Sequence, residues 1–194
     1  LLAVGGDLSV DRLVLAYSHG IFPWYGFKEG NEILWFCPMD RFVIFPKKIH
    51  VSHSMRTLVN SHRYRATFDR SFDEVISACS KVGGRDRQCG AWLGSDMIAA
   101  YRRLHERGLA RSVEVWEGDS LVGGLYGVTL GRSFFGESMF SLHPSASKYA
   151  LIALARWMES VGGRLIDCQF ETPHLRSMGG EHIDYDTYMG LIME

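Results

Sequence analysis

The sequence lacks the features that mark several common classes of protein. No run of about 18 apolar residues occurs, so no segment is expected to form a transmembrane helix. The first ten residues, LLAVGGDLSV, have neither a basic flank nor a long apolar core, and no signal peptide is expected there. The 194-residue chain is 46% apolar and 22% charged, as ordinary globular proteins are, and its length fits one large domain or a domain with a small lobe.

Several catalytic and nucleotide-binding motifs are absent as well. The sequence contains no Gly-x-Ser-x-Gly elbow, no Walker loop, and no Gly-x-Gly-x-x-Gly motif after a predicted strand. The loop that precedes the helix predicted from Ala146 is SLHPSAS. Because this loop contains no glycine, it offers no open backbone cradle for a pyrophosphate. These absences argue against a serine hydrolase, a P-loop nucleotidase and a dinucleotide-dependent enzyme.

Cysteine and histidine are too scattered to predict a metal site. The four cysteines form no Cys-x-x-Cys pair, and the eight histidines supply no clustered ligand spacing for zinc. We therefore expect reduced thiols, a cytoplasmic location, and neither a metal nor a cofactor. The cysteines are Cys37, Cys79, Cys89 and Cys168.

The formal net charge of −1 conceals an uneven distribution of charge along the chain. Residues 41–87 contain ten Lys/Arg and four Asp/Glu, a net charge of +6, whereas the remainder carries −7. A basic segment of this kind could face the phosphates of a nucleic acid. The alternative is a solvated surface with no partner.

The apolar periodicity and the turn residues predict an α+β domain with a mainly antiparallel sheet. Residues 20–38, rich in Gly, Pro and aromatics, are predicted to be a loop with a short apolar piece at 33–36. The predicted helices cover 8–19, 52–60, 72–81, 95–107, 146–161 and 186–193. The predicted strands cover 41–45, 64–68, 112–116, 120–128, 132–140 and 164–169.

Three polar residues in these strands are candidates for chemistry. Glu137 lies in an apolar strand, where a carboxylate is costly to desolvate unless it meets a cation or hydrogen-bond donors, and we expect it to await a positive group. Asp167 and Gln169 are two residues apart, so their side chains share one face of a strand. A carboxylate beside an amide can orient an amine and help to remove its proton. The alternative for Asp167 is a turn at the end of the strand.

The strand around Glu137 predicts a local irregularity. Strict alternation places Phe134 and Met139 on opposite faces of the sheet. Both side chains can line one cavity with Glu137 only if the strand bulges near Gly136. Packing in the core is the alternative role for the phenylalanine and the methionine.

The motifs taken together resemble the leucyl/phenylalanyl-tRNA–protein transferases, the bacterial aminoacyl-transferases of the N-end rule. The likeness extends over nearly the whole chain, and GESMFS with LIDCQ is its most specific part. The matching stretches are GGDLS (5–9), AYSHGIFPW (16–24), AYRRLHERG (100–108), SVEVW (112–116), LVGGLYG (121–127), FFGESMFS (134–141), ASK (146–148) and LIDCQ (165–169).

The resemblance implies a fold and a reaction. The fold is a small N-terminal lobe, residues 1–45, on a GNAT-like acyltransferase domain, residues 46–194. The reaction transfers Leu, Phe or Met from aminoacyl-tRNA to proteins whose N-terminal residue is Arg or Lys, which marks them for degradation. Neither a metal nor a coenzyme is implied, and no membrane is involved.

The resemblance also implies roles for particular residues. Asp167 accepts a proton from the acceptor amine or orients it, with Gln169 as partner, and Glu137 holds the α-ammonium of the donor aminoacyl group. Trp24 and Trp92 sandwich the terminal adenosine. The pocket for the aminoacyl side chain is formed by Leu125, Phe134, Gly136, Met139, Leu151, Leu154, Met158 and Ile166. The candidates for contact with tRNA phosphates are Lys47, Lys48, Arg56 and Arg63.

Two other functions fit part of the sequence. An acyl-CoA N-acyltransferase could share the fold, but the glycine-free SLHPSAS loop argues against it. A non-catalytic RNA-binding module would explain the basic segment and the tryptophans, which can stack on bases. It would not explain why Glu137, Asp167 and Gln169 occur together.

Overall fold

The structure is a computed structural model that describes residues 1–25, 32–82 and 93–193. The strands in these ranges are β1 (Ala3–Val4), β2 (Phe22–Tyr25), β3 (Ile33–Phe36), β4 (Asp40–Ile44), β5 (Arg65–Phe68), β6 (Ala110–Glu117), β7 (Ser120–Leu130), β8 (Ser133–Ser141), β9 (Leu165–Gln169) and β10 (Glu181–Asp184). The helices are α1 (Val10–Ser18), α2 (His53–Asn60), α3 (Phe72–Val82), α4 (Ser95–Glu106), α5 (Ala146–Ser160), α6 (Pro173–Ser177) and α7 (Tyr185–Ile192). A 3₁₀ turn spans Pro46–Lys48.

The strands form two sheets. A small antiparallel sheet has the order β1-β3-β2, and a larger sheet has the order β10-β4-β9-β8-β7-β6-β5. Within the described strands, β8 and β9 are the one parallel pair, and all other neighbours are antiparallel. The α+β class, the mainly antiparallel sheet and the small N-terminal lobe are therefore confirmed.

Apolar side chains cover both faces of the larger sheet. Phe134 and Phe135 are consecutive on β8, and they belong to two different cores because neighbouring residues in a strand face opposite ways. The core around Phe135 contains α1, α3, α4 and the small sheet. The core around Phe134 contains α2 and α5. The larger sheet is thus a middle layer between two layers that bury it.

Each predicted helix and strand is present, with ends within two residues of the predicted ones. Side-chain caps fix several of the helix starts, because Ser9, Ser52 and Asp184 each accept a hydrogen bond from a backbone N–H in the first turn. The loop predicted for residues 20–38 is wrong in part, since β2 and β3 within it pair with each other. The sequence also gave no sign of β1, α6 or β10.

The boundary between lobe and domain at residue 45 stays a prediction. The small sheet and α1 lie within the first 45 residues. Strand β4 also lies there, and it pairs with β9 and β10 of the larger sheet. Among the described residues, no helix has the length and apolar character needed to cross a bilayer.

Candidate active site between strands β8 and β9

A cavity of about 650 Å³ opens where the two parallel strands part. The described pairing of β8 with β9 runs from Ser133 opposite Leu165 to Phe135 opposite Asp167. Residues that follow these in both strands line the cavity. The volume lies within the range of sites that bind small molecules, and the walls are largely apolar with a few polar side chains.

A β-bulge on β8 shapes one wall of the cavity. Tyr126 of β7 faces Ser138, and the next residue, Gly127, faces Gly136, so Glu137 is the extra residue. The bulge shifts the alternation of β8, and Phe134 and Met139 as a result contact the same core. The predicted bulge near Gly136 is confirmed.

Seven of the eight residues predicted for the aminoacyl pocket line this cavity. They are Leu125, Phe134, Gly136, Met139, Leu151, Leu154 and Ile166. Met158 lies a turn beyond Leu154 on α5 and does not line the cavity in this structure, so its place in the aminoacyl pocket stays a prediction. Its side chain packs in the core against Gly163, where a Cβ would come within 2.6 Å of its terminal methyl.

Glu137 receives hydrogen bonds from three neutral donors. The hydroxyl of Tyr17 lies 2.6 Å from Oε1, the hydroxyl of Tyr101 lies 2.6 Å from Oε2, and Nε2 of Gln169 lies 3.3 Å from Oε1. Donors from α1, α4 and β9 therefore meet Glu137 in this structure, and its contact with a positive group stays a prediction. Burial raises the pKa of Glu137 to about 7, and the hydrogen bonds from Tyr101 and Tyr17 oppose this rise.

Asp167 is fully buried and forms an ion pair with Arg41 of β4. Arg41 donates from Nε at 3.0 Å and from Nη2 at 2.8 Å, and Tyr188 of α7 donates its hydroxyl at 2.7 Å. The backbone N–H of Gln169 adds a fourth donor at 2.8 Å. These contacts hold the carboxylate at the junction of the lobe, the sheet and α7.

Gln169 reaches the cavity through an unusual backbone. Its φ is +63°, in the left-handed region that non-glycine residues seldom adopt, and this indicates a locally strained conformation. Phe42 of β4 faces Gln169 and Val43 faces Asp167, so Cys168 is an extra residue in this pairing. Glu137, Asp167 and Gln169 all line the one cavity, as a shared site requires.

The aromatic and basic candidates lie outside the polar cluster. Trp24 lines the cavity and packs against Phe170, with ring centroids 5.6 Å apart, while Trp92 falls outside the described residues. Of the four basic candidates, all exposed, two already pair with carboxylates. Lys48 pairs with Glu181 at 2.9 Å, and Arg63 pairs with Glu117 at 2.7 Å. Arg56 donates to the backbone carbonyl of Val51. The fourth candidate is Lys47.

Sequence reasoning missed four residues of the site. Tyr17 and Tyr101 fell within motifs quoted for the resemblance, but neither was given a role. Tyr188 lies in the helix predicted over 186–193, but it too was given no role. The signal for Arg41 was available, because a cation that directly precedes the apolar run FVI of a strand requires an anion if it is buried.

An apolar cavity with a few polar side chains at its wall is the usual form of the site at which an enzyme binds a small molecule. The family profile described as leucyl/phenylalanyl-tRNA protein transferase matches residues 43–193, and the profile for the N-terminal domain of that family matches residues 6–39. The chain belongs to the leucyl/phenylalanyl-tRNA–protein transferase family and is a transferase.

Individual relatives agree with the family profile. The leucyl/phenylalanyl-tRNA–protein transferase of Nitrosomonas eutropha is 50% identical, over 94% of this chain and 76% of the relative. The one from Pseudomonas fluorescens is 51% identical, over 97% of this chain and 81% of the relative. A solved structure of L-PGS from Bacillus licheniformis shares the fold, with a TM-score of 0.51 and 12% identity over 95% of this chain and 69% of that one.

Proposed function

We propose that this protein transfers Leu, Phe or Met from aminoacyl-tRNA to acceptor proteins that begin with Arg or Lys, and so marks them for degradation by the N-end rule. The reaction takes place in the cytoplasm, where aminoacyl-tRNA is made and used. The observation that carries the proposal is the polar pair of Glu137 and Gln169, 3.3 Å apart, at the wall of an apolar cavity of about 650 Å³.

The apolar walls suit the side chain of the donor amino acid. The cavity wall presents only hydrocarbon at Phe134, Leu151, Leu154 and Ile166. Such a wall binds the side chains of Leu, Phe and Met more favourably than polar side chains. A single methylene discriminates by only about 1–3 kcal/mol, so a shared preference for several apolar amino acids is expected. The β-branched side chains of Ile and Val must be excluded by shape.

The polar residues suit the amine of the acceptor. Nε2 of Gln169 donates to Glu137. The amide oxygen of Gln169 can therefore accept an N–H from the acceptor amine. Asp167, fixed by Arg41, holds the backbone N–H of Gln169 and orients this residue. Glu137 faces the amino group of the donor. An aminoacyl ester is already activated, so correct positioning of the amine supplies much of the rate.

A transfer assay tests the proposal. Purified protein is mixed with tRNA that carries labelled Leu, Phe or Met and with a protein that begins with Arg, and label in the protein is measured. We expect transfer of all three and none to the same acceptor with an acetylated N-terminus, which lacks the attacking amine. Tight binding of tRNA without any transfer would favour the RNA-binding module, and tight binding of coenzyme A by calorimetry would favour the acyl-CoA transferase.

The affinity for aminoacyl-tRNA is expected to fall steeply with salt. Each phosphate that the protein neutralises releases counterions, with a slope of about −0.7 to −0.9 in log K against log salt concentration. Lys47→Ala, which removes one phosphate contact, should therefore make the slope less steep by about 0.7–0.9. The control is Arg107→Ala, which removes one exposed charge from the end of α4, on the other side of the sheet. Equal effects of the two variants would remove Lys47 from the tRNA interface.

A further inference from the structure

The phenolic oxygens of Tyr17 and Tyr101 and the carboxyl group of Glu137 form a closed ring of three contacts in the active site. The two phenolic hydroxyls lie 2.7 Å apart, and each lies 2.6 Å from a different oxygen of Glu137. All three separations are those of hydrogen-bonded O–H···O pairs. Each of these short contacts therefore requires one hydrogen atom, and the ring requires three in total.

The two tyrosines supply only two hydrogen atoms. When Glu137 is ionised, both phenols donate to its carboxylate, and the contact between the two hydroxyls has no hydrogen. When Glu137 carries a proton, it donates to Tyr101, Tyr101 donates to Tyr17, and Tyr17 donates back to the other oxygen of Glu137. Every contact is then satisfied. The ring thus lacks one proton in its ionised state and is complete once Glu137 is protonated.

Asp167 is badly placed to receive a proton. Oδ1 accepts from Arg41 and from the backbone N–H of Gln169, and Oδ2 accepts from Arg41 and from Tyr188. A carboxylate has about four lone-pair sites, so these donors occupy all of them. The side chain is also fully buried. Protonation of Asp167 would break its ion pair with a buried guanidinium, which is strongly unfavourable.

We propose that Glu137 is the proton shuttle of the transfer reaction, with Tyr17 and Tyr101 as positioning residues that complete its protonated state. The inference rests on the proposed function. The acceptor nitrogen attacks the ester carbonyl carbon and forms the C–N bond. Glu137 takes one proton from that nitrogen. The bond between the carbonyl carbon and the 3′ oxygen of the tRNA then breaks, and Glu137 returns the proton to that oxygen, so no further reactant is needed.

The surroundings of Glu137 support a single titration near neutral pH. The groups that face it are Tyr17 from α1, Tyr101 from α4, Tyr126 from β7, and Asp167 and Gln169 from β9. Burial raises the pKa values of the three phenols well above 10, so they stay neutral. With a pKa of about 7 for Glu137, the fraction able to accept a proton increases as pH rises from 6 to 8.

The test compares the pH dependence of wild type and Glu137→Gln. Transfer rates are measured between about pH 5.5 and 8.5 and divided by the fraction of neutral acceptor amine, which removes the titration of the amine itself at about 7.7–8.0. We expect the corrected wild-type rate to rise through pH 7. Glu137→Gln should lower the rate by about 10²–10⁴-fold and show no rise, because an amide cannot carry the proton.

Variants of Asp167 and Tyr101 distinguish the proton shuttle, Glu137, from the residues that position it or its neighbour Gln169. Asp167→Asn should lower the rate but keep a rise, since Asp167 only positions Gln169, and the midpoint should move to lower pH because the charge of Asp167 helps to raise the pKa of Glu137. Tyr101→Phe opens the ring and removes a hydrogen bond that holds the pKa of Glu137 down, so the midpoint of the rise should move to higher pH. Tyr126→Phe is its control, because this hydroxyl packs beside Tyr101, has no hydrogen-bond partner among the described residues, and lies outside the ring. It should leave the midpoint in place.

Several results would overturn the inference. One is a Glu137→Gln enzyme that keeps the wild-type rate and pH dependence. Another is an increase of the corrected transfer rate with pH that disappears in Asp167→Asn but persists in Glu137→Gln. An unchanged midpoint in Tyr101→Phe would remove the ring from the mechanism. If wild type transfers no amino acid from any of the three tRNAs, the proposed function itself fails, which is a different outcome from a mechanism without Glu137.

Discussion

Asp167→Ala is expected to abolish the transfer of Phe from Phe-tRNA to a protein that begins with Arg, and to destabilise the fold. The side chains of Arg41 and Asp167 are 1% and 0% exposed. Removal of the carboxylate leaves a buried guanidinium without its counter-ion, which typically costs about 3–5 kcal/mol in the free energy of unfolding. Chemical denaturation of wild type and variant measures the loss.

Two controls isolate the buried ion pair. Asp73→Ala removes the same carboxylate from a pair with Arg102 at the surface, where Asp73 is 71% exposed, and we expect little change in stability because solvent screens the pair. The double variant Arg41→Ala/Asp167→Ala should lose less stability than the sum of the single losses, since neither charge is left alone. If the losses in the free energy of unfolding are additive, Arg41 and Asp167 do not stabilise each other.

The second large effect is expected at Gly127, which faces the bulge on β8. A Cβ at this position would lie 2.2 Å from the carbonyl oxygen of Phe135 and 2.6 Å from the ring of Phe134. The backbone oxygen cannot move without breaking the bulge, so Gly127→Ala should lower the free energy of unfolding by about 3 kcal/mol, at the upper end of typical overpacking costs. Transfer should fall as well, because the bulge positions Glu137.

Gly190→Ala is the matched control for this change. Gly190 is exposed on α7, and a Cβ there meets nothing within 4 Å. Alanine is favoured over glycine in helices by up to about 1 kcal/mol, so this variant should be as stable as wild type or more stable. If Gly127→Ala is tolerated as well as Gly190→Ala, in thermal unfolding and in transfer, the bulge does not depend on a glycine at position 127.

The elements that the sequence predicted well are those with a strong pattern. The helical spacing of Met97, Tyr101 and Leu104 is a local pattern, so the ends of α4 were predicted to within one residue. Strand β10 was missed because its sequence EHID is polar and mostly exposed, and only its pairing with β4 makes it a strand. Strand β2 includes a proline and depends on β3 in the same way.

The candidate site could be predicted only in part. The bulge was foreseeable because Phe134 and Met139 cannot otherwise share a cavity with Glu137. The ring of Tyr17, Tyr101 and Glu137 was not, because its members are 84, 120 and 36 residues apart in sequence. Met158 stays a prediction, because its helical spacing from Leu151 and Leu154 is suitable but it does not line the cavity in this structure.

The most direct test of the account is a crystal structure with phenylalanine joined by an amide to 3′-amino-3′-deoxyadenosine, a stable analogue of the tRNA end. We expect the phenyl ring to lie between Phe134, Leu151 and Leu154, with the amino acid's carbonyl carbon beside Gln169 and Glu137. An analogue found away from this cavity, or bound in it with the adenosine innermost and the phenyl ring in solvent, would contradict the account.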